Sequence, residues 1–202
     1  MDWRGWLAAL GLGGFALLLV RPLAGSGASL GVRAIARARS QLGVTEATGN
    51  NDGPEIAKYF AGATRIVNGQ EKPTGWAPGW EWCAAFASWC AFDARLNDEP
   101  MPHGWRIAVW ELVRDAKALG TWREWTPTMP NGPRPGDLVV YRRTGGDPRQ
   151  PGQQGHVSRC VDWNGSTLRT IGGNENNSVV EHTNLSRMGS IVGFIAYPER
   201  AS

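Results

Sequence analysis

Gly79-Trp80-Glu81-Trp82-Cys83-Ala84-Ala85-Phe86-Ala87-Ser88-Trp89-Cys90 is the stretch that makes this chain readable. Loop-type residues lead up to Cys83, and an unbroken run of Ala, Phe and Trp follows it. The run predicts a helix from Cys83 to about Leu96. A cysteine that opens a helix sits beside N–H groups with no intrahelical partner, at the positive end of the helix dipole. Both favour a thiolate, so the position suits a nucleophile. Trp82 is expected to wall a cleft beside it. Farther on, Gly155-His156-Val157 opens a β-like run, and the glycine lets another backbone come close. From there His156 can take the thiol proton and pair with the thiolate. In Gly172-Gly173-Asn174, Asn174 can hold the second ring nitrogen in orientation. Glu175 is the fallback for that role.

Spacing adds an expectation about the other thiols. Cys90 lies seven residues after Cys83 on the same helix face, about 10 Å along. Cys160 lies four residues after His156 on the same strand face, about 13 Å along. If Cys83 meets His156 and the two elements run side by side, Cys90 approaches Cys160. The two would be core thiols or, after export, a disulfide.

Composition sets the bounds. A chain of 202 residues fits one ordinary domain plus an appendage. The 27 Gly and 13 Pro indicate many turns, and the 11 Trp suit both a core and a cleft for sugar or peptide. The net charge of +3 and pI of about 9.0 suit an anionic polymer or membrane surface. There is no basic stripe with interleaved aromatics, which argues against nucleic acid. Three cysteines without a Cys-x-x-Cys pair, and His103, His156 and His182 far apart, predict neither a disulfide framework nor a metal. No cofactor is expected.

Residues 5–20 carry no charge and are flanked by Arg4 and Arg21. They resemble the apolar part of a secretory signal, with small residues at Ser26-Gly27-Ala28. Arg21 fits a retained, weak anchor better. A buried core helix is the alternative. Residues 1–28 are therefore expected to direct export or membrane tethering, placing the protein in the cell envelope. Residues 21–32 read as a linker, and residues 29–202 as the folded domain.

Within that domain, residues 33–42 read as a helix with Ile35 and Leu42 on one face, stopped by Gly43. Pro54 is placed to start a helix over 54–61. Residues 62–81 read as loop, including Asn68-Gly69. A weakly patterned helix spans about Gly104 to Leu119. Strands are predicted at 138–141, 156–163, 167–172 and 190–197, with 177–181 as a further one. In 156–163, Val157, Val161 and Trp163 alternate with polar residues, which suggests one wetted face. Helices first and an antiparallel sheet after give the α+β class.

The motifs carry a resemblance. They are Gly43-Val44-Thr45-Glu46, Asn51-Asp52-Gly53-Pro54, Trp82-Cys83-Ala84-Ala85-Phe86, Pro133-Arg134-Pro135-Gly136-Asp137, Gly155-His156-Val157, Gly172-Gly173-Asn174 and Gly193-Phe194-Ile195-Ala196-Tyr197-Pro198. Over about residues 34–198 the chain resembles the CHAP (cysteine, histidine-dependent amidohydrolase/peptidase) and NlpC-like cell-wall hydrolases of bacteria and phages. The resemblance implies a papain-like fold, with N-terminal helices packed on an antiparallel sheet. It also implies Cys83 as nucleophile, His156 as base and Asn174 as orienting residue. Trp82, Trp80 and Glu46 become candidate substrate contacts. Peptidoglycan would be the partner, cleaved at an amide as by an N-acetylmuramoyl-L-alanine amidase or an endopeptidase. A wall-binding or phage-particle module without turnover, and acyl transfer or deamidation on a protein, are the alternatives. Two departures stand out. Many CHAP enzymes carry a Glu two residues before the Asn, where this chain has Gly172. Ser158-Arg159-Cys160 follows Val157 where small apolar residues are usual.

Overall fold

The computed structural model describes residues 28–126, 129, 131–143, 145–183 and 188–199. Residues 5–20, and all of 1–28 except Ala28, lie outside them. No helix among the described residues is long and apolar enough to cross a membrane.

The helices come first. Helix α1 (Leu30–Arg39) is capped by Ser29, whose hydroxyl accepts from the Val32 N–H. The cap starts the helix three residues before the expected position. The helix ends before Leu42, which is exposed, while Ile35 is buried. Helix α2 (Pro54–Ala57) passes into a single 3₁₀ turn, Lys58–Phe60. Residues 62–81, read as loop, contain a hairpin of β1 (Thr64–Val67) and β2 (Gln70–Pro73). Asn68 and Gly69 turn it with φ of 52° and 75°, the pair of positive values that a two-residue hairpin needs. Helix α3 (Cys83–Ala94) is buried on every side through Ala91, as a helix at the centre of a molecule must be. Helix α4 (Val109–Ala118) starts five residues later than expected. The residues before it are committed elsewhere. Backbone groups of Arg106 bond Ser88 on α3, and its guanidinium pairs with Asp115 at 2.6 Å.

The sheet follows. Its strands are β3 (Trp122–Glu124), β4 (Leu138–Arg142), β5 (Gly155–Trp163), β6 (Leu168–Glu175), β7 (Ser178–Thr183) and β8 (Ile191–Ile195). They lie in the order β3-β8-β4-β5-β6-β7, all antiparallel. The short β3 was not anticipated. One face packs on the helices through Leu138, Val140, Val157 and Ile171. The other holds a second core of Val139, Tyr141, Cys160 and Leu168. The α+β class and papain-like arrangement are as expected. The wetted face of β5 is not found: His156 through Val161 are all buried. A strand with neighbours on both edges and a core on each face has no side left for water.

Arg159 on β5 is among those buried residues. Its guanidinium donates to the carbonyls of Gly136 (2.6 Å) and Ala87 (2.9 Å) and to the Tyr197 hydroxyl (3.3 Å). Helix α3 is thereby tied to the central strand. Tyr197 in turn donates to His103 Nε2 at 2.6 Å. Burial lowers the His103 pKa to about 4, so its ring is neutral; Nδ1–H donates to the Gly104 carbonyl at 2.7 Å.

Cys90 and Cys160 do not meet. Both are free and buried, one in each core, so the sheet stands between them. Cys160 shares its face with Tyr141 and Leu168, away from α3.

Helix α3 reaches the sheet at Gly173. A Cβ there would lie 2.5 Å from the Trp82 ring and 2.7 Å from Phe86. Gly173→Ala should therefore destabilise the fold by about 2 kcal/mol through overpacking. In a chain of this size that lowers Tm by roughly 4–8 °C, measured by thermal unfolding.

Candidate active site

Cys83 is the first residue of α3, and Trp82 is the N-cap, with no side chain capping the helix start. The first-turn N–H groups therefore have no capping side chain to accept from them. His156 is the second residue of β5, paired across the strands with Tyr141. Both Cys83 and His156 are almost wholly buried.

The imidazole is held on one side by a carboxylate. His156 Nε2 lies 3.1 Å from Glu175 Oε1 and 3.2 Å from Ser158 Oγ, and Ser158 donates to the same Glu175 oxygen at 2.7 Å. The second Glu175 oxygen faces His182 Nε2 at 3.1 Å. Burial alone would neutralise Glu175. The hydrogen bonds and charge of His156, with Ser158 and His182, outweigh it and bring the Glu175 pKa to about 2. Nε2 of His156 thus carries a proton directed at an ionised oxygen. Burial likewise opposes charge on His156, but Cys83 and Glu175 together raise its pKa to about 9. Nδ1 is buried without a hydrogen bond of ordinary geometry, although Cys83 acts on the ring from close by.

The family described as CHAP domain matches residues 73–174, just over half of the 202-residue chain. The chain belongs to the CHAP family. Within this CHAP domain, Cys83 and His156 lie inside the matched region, and Glu175 is one residue past it. Two crystal structures of Ly7917 are similar in structure. One has 15% identity and a TM-score of 0.41; the other, "with the hydrolyzing product of MDP", has 18% and 0.42. Each alignment covers 82% of this chain and 62% of that one, so the CHAP chain spans less than two thirds of Ly7917. No curated protein matches the chain.

Asn174 stands apart from the imidazole. With φ of 57° it turns outward, and Nδ2 donates to Asn51 Oδ1 (2.9 Å) and Glu81 Oε2 (2.8 Å). The structure places Glu175 against the His156 ring instead. The cause is local. The β6–β7 register shifts between Gly172 and Glu175, which returns the Glu175 side chain over Gly172. A Cβ on Gly172 would collide with the Glu175 carboxylate. Gly172 therefore leaves room for the Glu175 carboxylate.

Trp82 and Glu46 also take other places than expected. Trp82 is fully buried, stacked on Tyr59 with centroids 5.7 Å apart and set edge-on to Phe86. Its Nε1–H donates to Glu46 Oε1 at 2.8 Å, and Glu46 Oε2 accepts from the Asn51 N–H at 2.8 Å. The two residues brace the loop before Pro54 against the start of α3. An indole whose N–H has a buried acceptor belongs in a core, not a cleft wall. Trp80 is partly buried and packs near Phe60, with centroids 6.2 Å apart.

Two cavities flank the Cys83–His156 pair. One, of about 530 Å³, is lined by His156, Glu175, Asn174, Tyr141 and Arg142. The other, of about 180 Å³, is lined by Cys83, Glu81, Ile107, Val109 and Trp110. Arg143 and Gln154 border both. Among the described residues no cluster of three His, Cys, Asp or Glu side chains is arranged to hold a metal. Sequence reasoning missed Ser158, His182, Arg143 and Trp110. Only the period-two spacing of Ser158 from His156 offered a signal.

Glu46→Ala leaves the buried Trp82 N–H and the part-buried Asn51 N–H without an acceptor, at a cost of about 1–3 kcal/mol. Thermal unfolding should show the loss as a lower Tm, with KM little changed. A raised KM at unchanged Tm would instead make Glu46 a substrate contact.

Proposed function

We propose that this CHAP domain hydrolyses an amide bond of peptidoglycan through Cys83, His156 and Glu175, acting as an N-acetylmuramoyl-L-alanine amidase or an endopeptidase. The observation that carries the reading is a helix-opening cysteine beside an imidazole whose far nitrogen rests on a buried, ionised carboxylate. Membership of the CHAP family supports the wall as substrate.

The chemistry follows from the placement. The Cys83 thiolate attacks the amide carbon, and the electron pair moves to the carbonyl oxygen. The Cys83 backbone N–H, free at the helix start, stabilises that oxyanion. As the C–N bond breaks, protonated His156 gives its proton to the leaving amine, and a thioester remains on Cys83. Neutral His156 then takes a proton from water, which attacks the thioester and frees the acid and the thiol. Glu175 holds the ring orientation and stabilises its charged form. In this reading residues 1–28 bring the domain to the wall by export or tethering.

Incubating purified peptidoglycan with the protein and identifying the fragments by mass spectrometry tests the reading and names the bond. Cys83→Ala and His156→Ala should each lower wall hydrolysis by about 10³-fold or more without loss of fold. Wild-type turnover by Cys83→Ala would sink the mechanism.

A pH profile tests the acid. The raised His156 pKa means that its charged form persists until the pH rises through about 9, so activity should fall there. Glu175→Gln removes one of the two groups holding the proton. The alkaline limb of kcat/KM should then move to lower pH, with kcat down by about 10²-fold. An unmoved limb would separate Glu175 from the acid.

A further inference from the structure

One ion pair at the edge of the cleft has the form of a recognition site. Glu81 lies two residues before Cys83, and a single oxygen of its carboxylate, Oε2, takes two donors from different elements. Arg143, just past the end of β4, donates Nη1–H at 2.7 Å. Asn174, at the end of β6, donates Nδ2–H at 2.8 Å. Two rim donors thus converge on one carboxylate oxygen beside the reactive pair. Asn174 is itself steadied by Asn51. Glu81 is about half exposed and Arg143 about a third. An ion pair so open to water contributes little to stability and exchanges its partner readily. The neighbouring cation differs: Arg142 is paired with Asp147 at 3.1 Å, away from Glu81.

We infer that Arg143 and Asn174 form a carboxylate-binding subsite, filled in the free protein by Glu81 and taken over by a carboxylate of the substrate. The inference rests on the hydrolase reading above for the identity of the substrate. It adds which side of the bond the charge lies on. Of the two donors, Asn174 lines only the His156 cavity and so sets the side, while Arg143 borders both cavities. His156 is the group that protonates the leaving amine, so the carboxylate belongs to the amine half of the substrate. The Cys83 side, with Ile107, Val109 and Trp110, receives the acyl half. Glu81 then acts as an internal competitor that a neutral substrate does not replace. This gives Asn174 a task that its distance from the imidazole otherwise leaves without one.

The test uses two synthetic stem peptides that differ only in whether the amine-side residue ends in a carboxylate or a carboxamide. Binding is measured by titration calorimetry on full-length Cys83→Ala, and cleavage on the intact protein. The carboxylate peptide should bind about tenfold more tightly, the scale of one charge-assisted contact in a half-exposed site. Adding Arg143→Gln should bring the ratio close to one. Adding Glu81→Ala should widen it severalfold, because the competitor is gone. Opposite effects from the two halves of one ion pair are what a merely structural bridge would not produce. A ratio near one in Cys83→Ala, or a shift in the same direction for both substitutions, would overturn the inference. Melting curves check that each variant folds. If the intact protein cuts neither peptide nor wall while the binding ratios behave as expected, the hydrolase reading fails and the subsite stands.

Discussion

The start of α3 lies against β6 where β6 has no side chains, and the site depends on that approach. Gly173 lets the rings of Trp82 and Phe86 rest on the strand. Gly172, facing the other way, leaves space for the Glu175 carboxylate. One glycine therefore sets how near the cysteine-bearing helix can come, and the next sets where the acid can stand. Arg159 fastens the same helix one turn farther along, through the Ala87 carbonyl. Trp82, tied to Glu46, fixes the residue just before the thiol. Cys83 is thus placed largely by how its neighbours pack.

The electrostatics grow out of that packing. A buried imidazole and a buried carboxylate would each lose their charge alone. Set together, with Ser158 and His182 on the remaining acceptor sites, they keep it. The cost of removing such a pair from water is large unless the hydrogen bonds are complete. Both Glu175 oxygens have partners here, which is why the carboxylate can stand in the interior.

Much of this was legible in the residues. The helix opening at Cys83 and the strands on either side of His156 follow from pattern and motif. The hairpin at Asn68-Gly69 was also written there, since that dipeptide is a strong turn signal, but strands as short and exposed as β1 and β2 show no clear alternation. What could not be read depends on which face a residue takes after an irregularity. The register shift in β6 exchanges the places of Asn174 and Glu175, and period-two reasoning fails at such a shift. Trp82 shows the other limit. An indole beside a nucleophile reads as cleft until its N–H is seen to have a buried acceptor. Cys160 is set apart from Cys90 by the sheet itself, a separation that distance along the chain does not carry.

The three unpaired thiols have a consequence for where the fold can form. Burial pushes the Cys90 thiol up to about 12 and that of Cys160 upward as well, which leaves both unreactive in the native state. No cross-link has to be made before the chain folds, and none can be lost afterwards. The scaffold is therefore indifferent to the redox state of its surroundings. Of the three thiols only Cys83 stands at the proposed site, so under the mechanism proposed above its oxidation would silence the chemistry without breaking any cross-link of the scaffold.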